Sequence, residues 1–163
     1  MIKHTILVTV STLLLISASS FINRSFGQTE IMGVREGIHQ MADSVVRDLH
    51  NDGPIAWLRY FSHSQSFFMA SNGQLVFPNN DSADTFVHKY AKQIIRVDLI
   101  WKDIRVDSLA PQLAVLAASY HEILTSSTGV QDTSSGYFTG VVEYTSTGWK
   151  FRNAHWSSND SKH

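Results

Sequence analysis

The sequence predicts an α+β fold in which three N-terminal helices pack over the concave face of a curved antiparallel sheet. Two observations carry this reading. Apolar residues recur at helical spacing from Val34 to Leu49, whereas apolar and polar residues alternate through four long segments from about Ile95 to Ser157. A chain of 163 residues suits one domain and not comfortably two.

The first residues follow another pattern. Lys3 and His4 precede an apolar run from Ile6 to Ile16, and the small residues Ser17-Ala18-Ser19-Ser20 follow it. A charged start, a short apolar stretch and small residues beyond it mark a secretory signal peptide. The stretch is short for the ~30 Å of hydrocarbon in a bilayer. The expectation is a cleaved leader over residues 1–27, with cleavage after Gly27 favoured over Ser20, and a domain over residues 28–163. The protein is then periplasmic or secreted, with no membrane association after cleavage. With no cysteine, the domain has neither a disulfide nor a lipid-bearing thiol, so its hydrophobic core must hold it.

Within that domain, Val34, Ile38, Met41, Val45 and Leu49 form one apolar stripe on an amphipathic helix. Asn51-Asp52-Gly53 ends it, and Pro54 suits the first position of a second, shorter helix carrying Trp57, Leu58, Tyr60 and Phe61. Ser66 to Ala70 reads as a short strand, turning at Asn72-Gly73 into Leu75-Val76-Phe77. Asn79-Asn80-Asp81-Ser82 supplies caps for a third helix, whose rows Phe86, Tyr90, Ile94 and Val87, Ala91 give it a broad buried face. The long strands are Arg96 to Val106, Leu113 to Thr125, Tyr137 to Tyr144 and Trp149 to Ser157. Loops are expected at Ala110-Pro111, Ser126 to Ser135 and Thr147-Gly148.

Net charge is −1, with acids and bases interspersed, so no basic stripe exists for nucleic acid. No histidine or carboxylate cluster has metal-ligand spacing, and no phosphate loop, G-x-S-x-G turn or cysteine nucleophile is present. No cofactor or metal is expected.

Three groups of residues are candidates for a binding site. Trp57 and Tyr60 carry an N–H and an O–H that need partners when buried. On the last strand, alternation sets Trp149, Phe151, Asn153 and His155 on one face, growing more polar toward the chain end. On Leu113 to Thr125, either Val115, Ala117, Ser119 and His121 face inward or Tyr120 and Glu122 do. The first set is favoured because small residues leave volume for a ligand. Trp101 lies on the preceding strand, beside Asp103, Arg105 and Asp107, which read as a solvated face.

The helix order, the strand lengths and the closing segment with Trp149, Phe151, His155 and Ser157 resemble the nuclear-transport-factor-2-like superfamily, with its SnoaL-like polyketide cyclases and ketosteroid isomerases. The resemblance implies a cone-shaped sheet around a pocket and a homodimer formed through the outer sheet face. Asn153 stands where many members carry a histidine, and Ser62-His63-Ser64-Gln65-Ser66 has no carboxylate where the isomerases often place their acid. The expected function is an exported, non-catalytic small-molecule-binding domain with contacts at Trp57, Tyr60, Trp101, His121, Asn153 and His155. The alternatives are a lyase or isomerase for a small carbonyl compound, with His155 or His121 as base and Tyr60 as proton donor, and a structural or assembly module.

Overall fold

The structure is a computed structural model that describes residues 5–159, with side chains from Glu30 onward. The side chains of the expected leader therefore lie outside the described residues. The chain divides into two compact units, Met1–Gly33 and Val34–His163. The first unit is helical as far as it is described, being part of α1 (Thr5–Asp52). No described helix is long and apolar enough to cross a membrane.

The second unit holds the core. Val34, Ile38, Met41, Val45 and Leu49 of α1 are all buried, as their spacing requires. Gly37 lies beside this stripe because the helix meets the Trp149 indole there. A Cβ on Gly37 would sit 2.7 Å from Trp149 Nε1.

After α1 comes a single 3-10 helix (Gly53–Arg59), where a second α-helix was expected. Pro54 holds an early position in it, and Tyr60 N–H closes it on the Trp57 carbonyl at 2.9 Å. Seven residues leave little room for i→i+4 bonds, so the tighter i→i+3 geometry takes over. Gly53 has φ +68°, and a Cβ there would lie 2.7 Å from the Ile95 carbonyl oxygen, so this corner needs glycine. The only other α-helix among the described residues is α2 (Asn80–Tyr90). Its Asn79 side chain accepts from Ser82 N–H at 2.9 Å, and the Ser82 hydroxyl accepts from Asn79 N–H at 3.3 Å, a reciprocal cap. The helix stops at Tyr90, so Ile94 belongs to the next strand and not to the helical row. The count is thus two α-helices, not three.

Six strands make one curved sheet: β1 (Phe68–Ser71), β2 (Gln74–Phe77), β3 (Ile94–Ala110), β4 (Leu113–Ser126), β5 (Gln131–Thr145) and β6 (Gly148–Ser158). Their spatial order is β2-β1-β6-β5-β4-β3. The sheet is mixed, because β1 runs parallel to β6. The chain enters that pairing early: Ser62 N–H donates to the Phe151 carbonyl at 2.8 Å, and Phe151 N–H to the Tyr60 carbonyl at 2.7 Å. β5 begins at Gln131, inside the expected loop, where exposed Asp132 and Thr133 pair with Leu124 and Ile123. An edge-like polar run has no apolar alternation to betray it.

Register shifts interrupt the long strands, three in the β3–β4 pairing and one between β5 and β6, and two of them bear on the site. In β3, Lys102 pairs with Ser119 and Arg105 with Ala117, so β3 carries one extra residue, and Asp103 takes φ +52° there. In β6, Phe151 pairs with Val142 and Asn153 with Val141, leaving Arg152 as the extra residue. Each inserted residue reverses the in/out alternation downstream of it.

Candidate functional site

The 3-10 helix, α2 and the inner sheet face line a partly open cavity of about 280 Å³. Pro54, Trp57 and Phe61 close it from the 3-10 helix and the residues just after it. Phe86, Val87 and Tyr90 enter from α2. Val97, Leu99 and Trp101 come from β3, and Tyr120, Glu122 and Leu124 from β4. Met69, Phe77, Phe138, Phe151 and Trp156 complete the wall. Ten of these seventeen residues are aromatic, so a guest would meet ring faces and edges on most sides.

Those rings pack against one another. Trp57 lies 6.1 Å from Phe61 and 6.3 Å from Phe151, between ring centroids. Phe138 joins Phe151 at 5.2 Å and Trp101 at 5.4 Å. Phe77 links Phe86 at 5.2 Å and Trp156 at 6.3 Å, and Phe86 stacks on Tyr90 at 5.6 Å. Gly140 makes room for this packing, since a Cβ there would lie 2.9 Å from the Phe138 ring and 3.1 Å from the Phe151 ring.

Polar groups in the wall are few. Trp101 Nε1 is buried and has no hydrogen-bond partner. A buried N–H left unmatched costs about 1–3 kcal/mol, so this donor suits an acceptor brought by a ligand. The Tyr120 hydroxyl reaches the Ser157 carbonyl at 3.4 Å. Burial pushes the Tyr90 phenol pKa up, and the negative charges of Glu122 and Asp132 push it further.

Of the six contacts expected from sequence, Trp57 and Trp101 line the cavity, and the other four do not. Tyr60 is buried, but its hydroxyl donates to Asp48 Oδ2 at 2.8 Å. His121 belongs to the outward row of β4, which alternates with the inward row Ala114, Leu116, Ala118, Tyr120, Glu122 and Leu124. The favoured face of that strand was the wrong one. The Arg152 bulge explains the last pair. Upstream of it Phe151 points in, and downstream the inward residues are Ala154 and Trp156. His155 is exposed, and Asn153 donates to the Ser66 carbonyl at 2.6 Å. Among the wall residues that carry a polar group, Glu122, Tyr120, Tyr90 and Trp156 were missed as contacts. For the first two the signal was the alternative phase of β4, and Tyr90 was visible as a buried row of α2.

No family model matches the sequence, and no curated protein does. Solved structures do match. A Novosphingobium aromaticivorans DSM 12444 protein, provisionally named scytalone dehydratase, superposes with a TM-score of 0.69 at 11% identity, covering 81% of this chain and 88% of its own. A nuclear transport factor 2-like superfamily protein from Salmonella enterica serovar Typhimurium LT2 gives 0.62 at 15% identity, covering 83% and 95%. The fold is nuclear-transport-factor-2-like. A type 2 hexachlorocyclohexane dehydrochlorinase shares it as well, with a TM-score of 0.64 at 8% identity and coverage of 81% and 89%. Identities this low establish the fold alone.

Elsewhere on this nuclear-transport-factor-2-like scaffold, several ion pairs lie away from the cavity wall. Asp48 receives Arg59 at 3.3 Å as well as Tyr60, and its carboxyl is held below the usual range, chiefly by the Tyr60 hydrogen bond. Asp98 receives Arg96 at 2.8 Å and His50 at 2.6 Å, and the Arg96 hydrogen bond is the main reason its pKa is lowered. The buried Ser62 hydroxyl donates to Glu143, which also faces Arg152 at 3.5 Å. Lys150 donates to the Arg59 carbonyl, and burial lowers its pKa. Among the described residues no three histidine or carboxylate side chains converge as a metal site would need.

Proposed function

We propose that this chain is a small-molecule-binding domain whose cavity takes a compact, largely apolar ring compound, with one acceptor atom directed at Trp101 Nε1. The partnerless indole N–H in an aromatic-walled hollow of about 280 Å³ carries this reading. A cone-like wrap of the sheet around the guest is part of it. So is export, supported by the charged start and short apolar run ahead of the domain.

Indane and 1-indanone test it, because they share a ring body and differ by a carbonyl oxygen. Both should raise the melting temperature and quench tryptophan fluorescence. Indanone should bind about tenfold tighter, the value of one hydrogen bond to a buried donor. No stabilisation by any compact ring compound would refute the proposal.

Glu122 favours a second reading, a lyase or isomerase for a small carbonyl compound. Among the described lining residues it is the one carboxylate, and it shares the wall with Tyr90 and Tyr120. A dehydrochlorinase and a provisionally named dehydratase among the structural neighbours support it. His121 and His155 give way to Glu122 as the base in this version. Turnover of a carbonyl substrate that survives Glu122→Gln unchanged would remove it.

Pairing of two copies through the outer sheet face also belongs to the proposal. Val115, Ala117 and Ser119 form a half-buried row there, paired with Asp107, Arg105 and Lys102 of β3. Two-fold apposition of such a face can match acids to bases. Sedimentation equilibrium of the wild type and of Ala117→Glu tests it, with a dimer expected in the first and a monomer in the second.

A further inference from the structure

The cavity is partly open, and solvent reaches its lining residues unequally. Among the described lining residues all but one are buried or half-buried, and the exception is Phe86 of α2, at 46% exposure. A ring that belongs both to the wall and to the surface marks the mouth. Phe86 stacks on Tyr90, one turn further along α2, at 5.6 Å, and meets buried Phe77 at 5.2 Å.

The helix that carries this ring is anchored elsewhere. Ala83 and Val87 bury its inner face, and the reciprocal cap between Asn79 and Ser82 fixes its first turn. The Asn80 side-chain amide donates to the Ser62 carbonyl and ties the same end to the segment before β1. The backbone of α2 is thus held, and the part of the mouth free to yield is the Phe86 side chain. An exposed side chain changes rotamer on the picosecond to nanosecond scale, whereas a ring packed on all sides moves only by opening a void. Any other way into the cavity displaces a lining residue that solvent reaches less.

We propose that Phe86 is the entry residue of the cavity, whose ring must swing aside for each guest and whose bulk sets the largest ring body that enters readily. This rests on the reading of the cavity as a small-molecule site and names the residue that selects among guests by size. Trp101 Nε1 selects by chemistry, Phe86 by width. Three fused rings need a wider opening than two, so the ring at position 86 slows 9-fluorenone more than 1-indanone, although both carry the same ketone acceptor.

Stopped-flow quenching of tryptophan fluorescence by these two ketones tests it. In the wild type, fluorenone should associate about tenfold more slowly than indanone, or slower still. Phe86→Ala should raise both the association and the dissociation rate of indanone about fivefold or more, leaving Kd within about threefold, and should bring fluorenone close to indanone in association rate. Phe86→Trp should slow both rates. A ring that only touched the bound guest would alter dissociation alone. Truncating an exposed side chain costs less than truncating a core one, and Phe86→Leu replaces the alanine variant should a thermal melt show that it does not fold. Unchanged rates in a folded variant, or a change in dissociation only, overturn the entry role while indanone binding still stands. If indanone does not bind the wild type at all, the small-molecule reading falls and the entry role with it.

Discussion

The Tyr60 hydroxyl donates to Asp48 Oδ2 at 2.8 Å, tying the end of the 3-10 helix back to the last turns of α1. The bond satisfies a buried phenol and commits it to structure. Burial first, and Asp48 second, push the Tyr60 pKa up to about 12. A phenol whose folded pKa exceeds its unfolded value near ~10 stabilises the fold fully below pH ~10 and loses that contribution as pH rises through 12. Tyr60→Phe should flatten the alkaline fall in melting temperature between pH 10 and 12. It should also weaken the acid side, where the lowered Asp48 carboxyl contributes stability above its unfolded value near ~3.9 and loses it as pH falls through the folded value. Thermal melts across both ranges check this. An unchanged alkaline limb would show that Tyr60 does not ionise as its surroundings dictate.

Trp101→Phe removes a buried donor that has no partner in the protein. Folding stability should stay within about 1 kcal/mol of wild type, because the relief of an unmatched N–H offsets the smaller ring. The tenfold preference for indanone over indane should vanish. Retention of the preference would place the acceptor elsewhere in the cavity.

His121→Ala and His155→Ala should leave the affinity for every cavity ligand within about twofold of wild type, since neither residue lines the wall. Phe151→Ala should behave in the opposite manner. Phe151 is 1% exposed and meets both Trp57 and Phe138, so the deletion should cost about 3–5 kcal/mol in chemical denaturation. Losses of binding in the histidine variants would contradict the placement of those strands.

Gly136→Ala should be among the most damaging small changes. A Cβ there would lie 1.8 Å from the Ser157 carbonyl oxygen, which is backbone and cannot rotate away. The β5–β6 ladder must open locally, and the melting temperature should drop by several degrees. Gly73→Ala puts no Cβ near any atom within 4 Å, and its cost should come only from the φ of +80°. Equal effects in the two variants would argue against the close β5–β6 approach.

Much of the fold was legible because it is written in short-range patterns. The stripe from Val34 to Leu49, the Asn79 cap and the strands at Leu113 and Trp149 all appear where spacing and capping chemistry put them. The site was less legible. Trp57 and Trp101 stood out as aromatics with a polar handle, and both line the cavity. Glu122 was visible only as one of two phases of β4, because periodicity tells that faces alternate and not which one is buried.

The sequence by itself determined the α+β plan, the long first helix and most of the strands, since helical and extended periodicities are local properties of side-chain order. Tertiary structure decided what enters the hollow. One extra residue at Arg152 turned Asn153 and His155 outward and brought Trp156 in, while Asp48 drew the Tyr60 hydroxyl away from the wall. Both outcomes depend on partners distant in the chain, and the energy of strand register and buried hydrogen bonds exists only once those partners meet.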